Sequence, residues 1–189
     1  STPATDLPAA QMPGPDADPT PLWAHIEELL GDEAEELLAP GATQDQLNEL
    51  EEELGYPLPA QLRTALTRHN GTLTDHPDLP GHQLLSTQEI AEEHATNTDA
   101  YEDTNQEILA SPNPYAATNF TPNTTQPGIW NTAWIPITTD GTGNNHILDT
   151  NPGPAGHTGQ ILTITTNTPP TGPTYPSYAA LLTTWATNL

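Results

Sequence analysis

The chain lacks three residue types altogether: it contains no cysteine, no lysine and no valine, and its only strongly basic residues are Arg63 and Arg68. Without cysteine it can form no disulfide, no thiolate metal site and no cysteine nucleophile. No apolar run approaches the roughly 20 residues that a membrane span needs. The N-terminal residues show neither the basic nor the apolar segment of a secretory signal. We therefore expect a soluble cytoplasmic protein.

Recognisable catalytic and metal-binding motifs are also missing. None of the seven histidines has the spacing of a zinc site, and no serine lies in a nucleophile motif. Two alternatives stay open. Asp140, Asn144, Asn145 and Asp149 offer the oxygen ligands that calcium takes, although a hairpin turn explains them more simply. Asp140 and Asp149 would form an acid/base pair only in a shared pocket. We expect no catalytic residue, metal or cofactor. An enzyme stays open as a hypothesis, ranked after two binding functions.

Negative charge is abundant and unevenly placed. The 25 acidic residues give a formal net charge of −23, and all of them except Asp140 and Asp149 lie at or before Glu107. Nucleic-acid phosphates and anionic membranes would be repelled, so we predict neither as a partner. A basic protein would be attracted and steered towards the acidic half. The alternative is that the charge only keeps the protein soluble.

The first half of the chain has the pattern of amphipathic helices. Residues 1–20 are rich in Pro, Ala and Asp, which predicts a disordered tail before one domain spanning residues 21–189. Leucines and other apolar residues then recur at helical spacing. Two capping boxes mark helix starts, Thr43 with Gln46 and Ser86 with Glu89. The second of these helices is predicted to run to about residue 94.

Residues 95–130 are rich in Asn, Thr, Pro and Gln, with few apolar residues. We predict a long loop here, with at most a short helix near residues 102–110. A connection of this length in a compact domain is typically functional or disordered. A binding protein would place its specificity in such a segment.

The second half of the chain has the pattern of a sheet followed by a helix. Three short apolar runs, at residues 134–137, 147–148 and 161–164, alternate with clusters of Gly, Asn, Asp and Pro, which predicts three consecutive antiparallel strands. Ser177 then begins a last amphipathic helix. Because helices precede strands, we predict an α+β fold. It has an antiparallel-rich central sheet of about four to six strands, packed by N-terminal helices and a C-terminal helix.

The stretch from Trp134 to Ile161 also carries a motif, W-I-P-I-x-x-D-G-x-G-N followed by L-D-x-x-P-G-P-x-G-x-x-G-Q-I. It resembles the signature of the SUKH superfamily, the Smi/Knr type of cell-wall-synthesis-regulator domain. The flanking helices resemble those of the family too, through L-P-x-x-L-R and H-N-G before the sheet and P-S-Y-A-A-L-L after it. The resemblance implies structural roles for the motif residues, which are Trp134, Pro136, Asp140, Gly141, Gly143, Asn144, Asp149, Pro152, Gly153, Pro154 and Gly159.

The resemblance implies a non-enzymatic binding protein, of one of two kinds. The first is a bacterial immunity protein that neutralises a cognate polymorphic toxin by binding its catalytic domain. Because the chain is so acidic, that toxin would be basic, as a nuclease is. The second is a regulatory or scaffold domain of the cell-wall-regulator type that binds a host protein. For either partner we predict contacts first at Glu49, Glu51, Glu52 and Glu53, and second at Asp99, Glu102 and Asp103.

Overall fold

The computed structural model describes residues 12–189, in which a mainly helical half precedes a mainly stranded one. A one-turn 3-10 helix (Gly31–Glu33) joins the first two α-helices, and another (Pro114–Ala117) follows the fifth. The α-helices are α1 (Thr20–Leu30), α2 (Ala34–Leu37), α3 (Gln44–Leu54), α4 (Ala60–Arg68), α5 (Thr87–Leu109) and α6 (Tyr178–Asn188).

A five-stranded sheet forms the centre of the fold. Together with a second, two-stranded sheet, the described residues contain these strands: β1 (Gln83–Leu84), β2 (Asn119–Phe120), β3 (Trp134–Pro136), β4 (Thr138–Thr139), β5 (Asn145–Asp149), β6 (Ile161–Ile164) and β7 (Thr171–Tyr175). The large sheet has the order β2-β7-β6-β5-β3, and β1 pairs with β4 in a separate two-stranded sheet. The β2–β7 pairing is parallel and the other pairings of the large sheet are antiparallel. The predicted α+β, antiparallel-rich class is confirmed.

The sheet has apolar residues on both faces because its side chains alternate along each strand. Ile135, Leu148 and Ile161 belong to the main core, which the N-terminal helices and α6 complete. Trp134 and Ile147 point to the other face. There they form a second cluster with Trp130, Leu162 and Ile164, against which Tyr101 of α5 packs. Helix α5 therefore spans both clusters, with Ile90 in the main core.

Three helix starts have the caps that the sequence predicts. The Thr43 hydroxyl accepts from the Gln46 backbone N–H, and the Ser86 hydroxyl accepts from that of Glu89. Each box is reciprocal, because the side chains of Gln46 and Glu89 accept from the backbone N–H of the capping residue. Ser177 caps α6 by accepting from the Ala180 N–H at 2.9 Å. These bonds satisfy N–H groups that the first turn leaves unpaired.

The N-terminal segment differs from the predicted tail over the part that the structure describes. Residues 12–19 lie against the fold: the Gln61 side-chain amide donates to Gly14 O at 3.0 Å and to Ala17 O at 2.8 Å. The Ser177 hydroxyl donates to Pro13 O. The polar backbone of this segment is bound by two buried side chains, which composition alone does not reveal. The prediction for residues 1–11 lies outside the described residues.

The predicted loop at 95–130 is wrong over residues 95–109, which continue α5 without a break. This part of the helix has few apolar residues, and its stability comes from contacts distant in sequence. The Tyr101 ring stacks on Trp130 with centroids 6.1 Å apart. The Asn105 side-chain oxygen accepts the N–H groups of Ile129 and Trp130 at 2.9 and 3.3 Å.

The sequence interpretation missed β2 and β7. In β7, Gly172 and Pro173 disfavour a strand, since proline cannot donate to a ladder. The register between β6 and β7 shifts here, so Ile161 opposes Tyr175 whereas Thr163 opposes Thr171. Pro173 lies within this irregularity, where no ladder donor is required of it. Strand β2 is only two residues long and has no recognisable alternation.

Candidate functional site

A groove of about 560 Å³ lies between α3 and α5. Both helices bury one face in the main core, and the groove runs between their neighbouring flanks, with the core residue Leu50 at its base and exposed side chains at its edges. Its lining residues are Gln46, Glu49, Leu50, Glu52 and Glu53 from α3, and Thr87, Gln88, Ala91, Glu92 and Ala95 from α5.

Helical periodicity places the carboxylates in this groove. Helix α3 buries Leu47, Leu50 and Leu54, so that Glu49, Glu52 and Glu53 remain exposed. Helix α5 buries a stripe that includes Ile90 and His94, which leaves Glu92 exposed. The groove therefore has a carboxylate-bearing rim on both walls.

The floor of the groove is apolar. Leu50 is only 1 % exposed. Ala91 is half-buried and packs against the main core, and Ala95, one turn further along α5, is exposed. Small side chains at these two α5 positions leave the space that the groove occupies. A ligand would meet apolar surface at the base and carboxylates at the edges.

The groove carboxylates have no basic side chain of this chain as a counterion. The two arginines of the whole sequence are already engaged: Arg63 pairs with Glu51, and Arg68 pairs with Glu27 at 2.7 Å. Within residues 12–189, the carboxylates of Glu49, Glu52 and Glu53 take part in no ion pair. The negative potential of the groove is therefore not neutralised from within the fold.

Of the four acidic residues predicted first for partner binding, three line the groove and one does not. Glu49, Glu52 and Glu53 line the groove. Glu51 does not: its carboxylate pairs with Arg63 and accepts the Leu58 backbone N–H at 2.7 Å. It therefore joins the end of α3 to the start of α4. The sequence could not show this, because it depends on how α4 turns back on α3.

The second predicted set lies on a helix and not in a loop. Asp99, Glu102 and Asp103 are exposed on the C-terminal half of α5, beyond the groove lining. Successive steps of four, three, four and three residues connect Gln88, Glu92, Ala95, Asp99 and Glu102. These residues therefore share one face of the helix. Asp99 and Glu102 extend the acidic surface along α5.

The sequence interpretation missed the α5 wall of the groove, which consists of Thr87, Gln88, Ala91, Glu92 and Ala95. The signal was present as the polar stripe that begins at Gln88 and repeats at helical spacing. Thr87, Gln88, Ala91 and Glu92 lie within the predicted helix, but they become a groove wall only because α5 packs beside α3, and the sequence does not show this packing.

The motif residues around Asp140 form a tight, internally bonded turn between β4 and β5. One carboxylate oxygen of Asp140 accepts the backbone N–H of Thr142 at 2.9 Å, and the other accepts the Asn144 side-chain amide at 2.7 Å. Burial alone would raise the pKa of Asp140, but the hydrogen bonds from Thr142 and Asn144 lower it to about 2. Gly141 and Gly143 have positive φ values of 80° and 93°. Asp140 therefore acts as a turn residue, which is the simpler of the two explanations for its place in the motif.

The second half of the motif is built around Asp149 at the end of β5. Asp149 is fully buried, and it accepts the Gln160 side-chain amide at 2.9 Å and the Asn151 N–H at 2.8 Å. Burial raises the pKa of Asp149, and these hydrogen bonds oppose that rise. A Cβ at Gly153 would lie 2.5 Å from Asn123 O, so only glycine fits there. The Gly159 N–H donates to Asp149 O at 2.8 Å.

The remaining motif residues are likewise part of the framework. Trp134 is fully buried, and Pro136 ends β3 opposite Ile147. Pro152 forms an isolated bridge with Thr125, and Pro154 follows it as an exposed residue of the same connection. The motif thus holds the sheet and its connections together, and none of its residues lines the groove.

A smaller polar pocket of about 160 Å³ lies beside the Asp140 turn, lined in part by His82, Thr138, Asn145 and His146. Burial lowers the pKa of His146 to about 4, and its Nδ1 lies 2.9 Å from the Thr138 hydroxyl. Asp140 lines this pocket but Asp149 does not, so the two acids are not paired in it. In residues 12–189, no group of His, Asp and Glu side chains has an arrangement that could hold a metal ion.

None of the helices in residues 12–189 has both the length and the apolar character that crossing a membrane requires.

These features define the class of the protein: an α+β domain with a glycine- and proline-rich strand motif and an acidic groove on its helical side. Residues 41–184 match the model of the SMI1 / KNR4 family (SUKH-1), and the chain belongs to this family. The match confirms the resemblance that the motif indicates.

Three fungal relatives show the same relationship over most of the chain. The glucan synthesis regulatory protein of Neurospora crassa is 29% identical over 74% of this chain. The KNR4/SMI1 homolog 2 of Debaryomyces hansenii is 31% identical over 82% of it. The cell wall biosynthesis/cell cycle regulator smi1 of Schizosaccharomyces pombe has the same values. In each case the match covers 32% of the relative, so the chain spans about a third of their length.

Proposed function

We propose that this chain is a regulatory binding domain without catalytic activity of its own. It would bind another protein in the cytoplasm through the groove between α3 and α5. The observation that carries this proposal is a groove with carboxylates on both rims and no arginine or lysine of the chain left to neutralise them. Two fungal relatives, named as a glucan synthesis regulatory protein and as a cell wall biosynthesis/cell cycle regulator, support a regulatory role more than toxin neutralisation.

The mechanism has two parts with different physical origins. The acidic rim raises the rate of encounter with a basic partner, because opposite charges steer association over distances up to about a Debye length, ~8–10 Å at physiological salt. Contact with the accessible part of the apolar floor, at Ala91 and Ala95, then slows dissociation, since burying apolar surface contributes most of the energy that holds a complex.

Neutralisation of a basic toxin domain is the second candidate function. The same observation favours it, because an acidic groove without internal counterions suits a basic catalytic surface as well as a basic regulatory partner. The identity of the bound protein separates the two candidates: a toxin domain whose activity the chain blocks would establish the second, and a cell-wall or signalling protein the first.

The test compares two variants with the same change in charge. The groove variant carries Glu49→Gln, Glu52→Gln, Glu53→Gln and Glu92→Gln. The control carries Glu28→Gln, Glu33→Gln, Glu35→Gln and Glu36→Gln, which are exposed residues outside the groove. Each variant and the unchanged chain serve as bait in lysate of the source cell, and bound proteins are identified by mass spectrometry at low and high salt.

We expect one basic protein that the unchanged chain and the control retain and the groove variant loses. Its retention should fall as salt rises, because the charges that attract it are exposed and screened. Equal loss from the groove variant and the control would show that only the total charge matters. Equal retention by all three would place the binding surface elsewhere. Either outcome would contradict the groove as the site.

A further inference from the structure

We infer that the part of the partner occupying the groove is a basic amphipathic helix lying between α3 and α5. This inference rests on the proposed function, since it names the kind of segment that the same groove binds. It concerns the shape and chemistry of the occupant, which the proposal of a basic protein leaves open.

The walls of the groove favour a helix over an extended segment. Both walls are α-helices, so their backbone N–H and C=O groups are already bonded within α3 and α5. An extended peptide would bring unpaired backbone groups against these walls, at a cost for each group that becomes buried. A helix satisfies its own backbone and presents only side chains, which is the usual way in which grooves between helices are filled.

The chemistry of the groove specifies which face of that helix points inward. Ala91 and Ala95 are four residues apart on α5, so they form one ridge of small side chains beside the apolar Leu50. Leucine-sized side chains of the occupant would fill the space above them. Lysine or arginine side chains flanking that apolar stripe would reach Glu52 and Glu53 on one wall and Glu92 on the other.

The acidic face of α5 gives the length of the occupant. Glu92 and Glu102 lie ten positions apart on the same face, which corresponds to about 15 Å along the helix at ~1.5 Å per residue. Asp99 lies between them on this face. A partner helix of about three turns, on the order of 10–12 residues, would match this span. Basic residues near its far end would contact Asp99 and Glu102.

The probe is a synthetic peptide pair of identical composition. One peptide has leucines along one helical face, at i, i+3, i+4 and i+7, with lysines and arginines beside them. The other has the same residues rearranged so that no apolar face exists. Binding to the full chain is measured by fluorescence anisotropy, and the contact surface by NMR shifts of the labelled chain. We expect the amphipathic peptide to bind about tenfold more tightly or better, because only it buries leucines on the floor.

A bulky side chain placed in the groove supplies the steric control. Ala95→Trp fills the space above the floor, whereas Ala100→Trp adds the same side chain to an exposed position on another face of α5. Both positions are exposed, so neither substitution disturbs the core. We expect Ala95→Trp to weaken the amphipathic peptide by about tenfold and Ala100→Trp to leave it unchanged.

Four results would overturn the inference. The peptides could bind with equal affinity, which would reveal attraction to positive charge alone. Binding of neither peptide would be the second such result. NMR shifts that lie outside α3 and α5 would be the third. If the groove instead binds a second copy of the chain, sedimentation would show a dimer that Ala95→Trp abolishes. This inference and the proposed function can fail separately. If no helical peptide bound, the inference would be wrong, but loss of the cellular partner from the groove variant would still support the proposed function.

Discussion

Glu27 connects α1 to the end of α4 through both oxygens of its carboxylate. One oxygen accepts from Arg68 Nε at 2.8 Å and lies 2.6 Å from His69 Nε2, and the other accepts from Arg68 Nη2 at 2.7 Å. The His69 ring also meets the edge of Trp23, with centroids 4.8 Å apart. Unlike the groove carboxylates, Glu27 is thus bound within the fold.

The acid sensitivity of the fold should depend on this residue. Hydrogen bonds from Arg68, and then from His69, lower the pKa of Glu27 to about 2 from its usual 4.5. The folded state therefore holds the ionised form more strongly than the unfolded state. The resulting stabilisation is complete above about pH 4.5 and is lost as pH falls towards 2.

We predict that Glu27→Gln lowers the free energy of unfolding by about 1 kcal/mol at neutral pH, a magnitude typical of a partly exposed ion pair. The same substitution should make stability less dependent on pH between about 4.5 and 2. Urea unfolding at several pH values measures both effects, with Glu28→Gln as the control for an exposed neighbour. An unchanged pH dependence in Glu27→Gln would show that other carboxylates, such as Asp140, dominate acid unfolding.

Among the elements, local signals predict some well and others not at all. Strands β3, β5 and β6 follow from three apolar runs separated by turn residues, because both the apolar runs and the turns are encoded within one continuous stretch, from Trp134 to Ile164. Strand β7 contains Gly172 and Pro173, and only its pairing with strands on either side makes it a strand. The C-terminal half of α5 likewise depends on Tyr101 stacking on Trp130, about 30 residues away in sequence.

The candidate site likewise has features that the local sequence predicts and features that only the packing of helices determines. The sequence reveals that Glu49, Glu52 and Glu53 are exposed, because their spacing opposes that of the buried leucines. It does not reveal that Glu51 turns to Arg63, nor that α5 faces α3, since both depend on packing between helices. The structure therefore adds the second wall of the groove and removes one residue from its rim.

Helix α5 should be sensitive to its first capping residue, which also positions the groove wall at Thr87 and Gln88. We predict that Ser86→Ala lowers the free energy of unfolding by about 1 kcal/mol, because the Glu89 N–H loses its acceptor. Urea denaturation measures this change. Ser111→Ala, beyond the other end of α5, is the control: its exposed hydroxyl donates to Ile108 O, and its loss should cost less than about 0.5 kcal/mol because water replaces that bond. Equal effects at the two serines would contradict a capping role.

For the whole molecule, the excess of negative charge opposes folding. The formal net charge is −23, and only two arginines are present to offset it. Both are used in ion pairs, with Glu51 and Glu27. Added salt weakens such exposed or partly exposed pairs, each typically worth about 0–1 kcal/mol, but it also screens repulsion among the many unpaired carboxylates. Because the unpaired carboxylates far outnumber the paired ones, screening of repulsion should prevail.

We therefore predict that the free energy of unfolding rises as NaCl increases from about 0.05 to 0.5 M, where the Debye length shortens from roughly 14 to 4 Å. The matched control is the variant with Glu28, Glu33, Glu35 and Glu36 changed to Gln, in which four neutralised carboxylates reduce the charge from −23 to −19. Its stability should rise less steeply with salt, since less repulsion remains to be screened. Urea unfolding at each salt concentration gives both slopes. A fall in stability with salt would mean that the Arg63 and Arg68 pairs outweigh the repulsion.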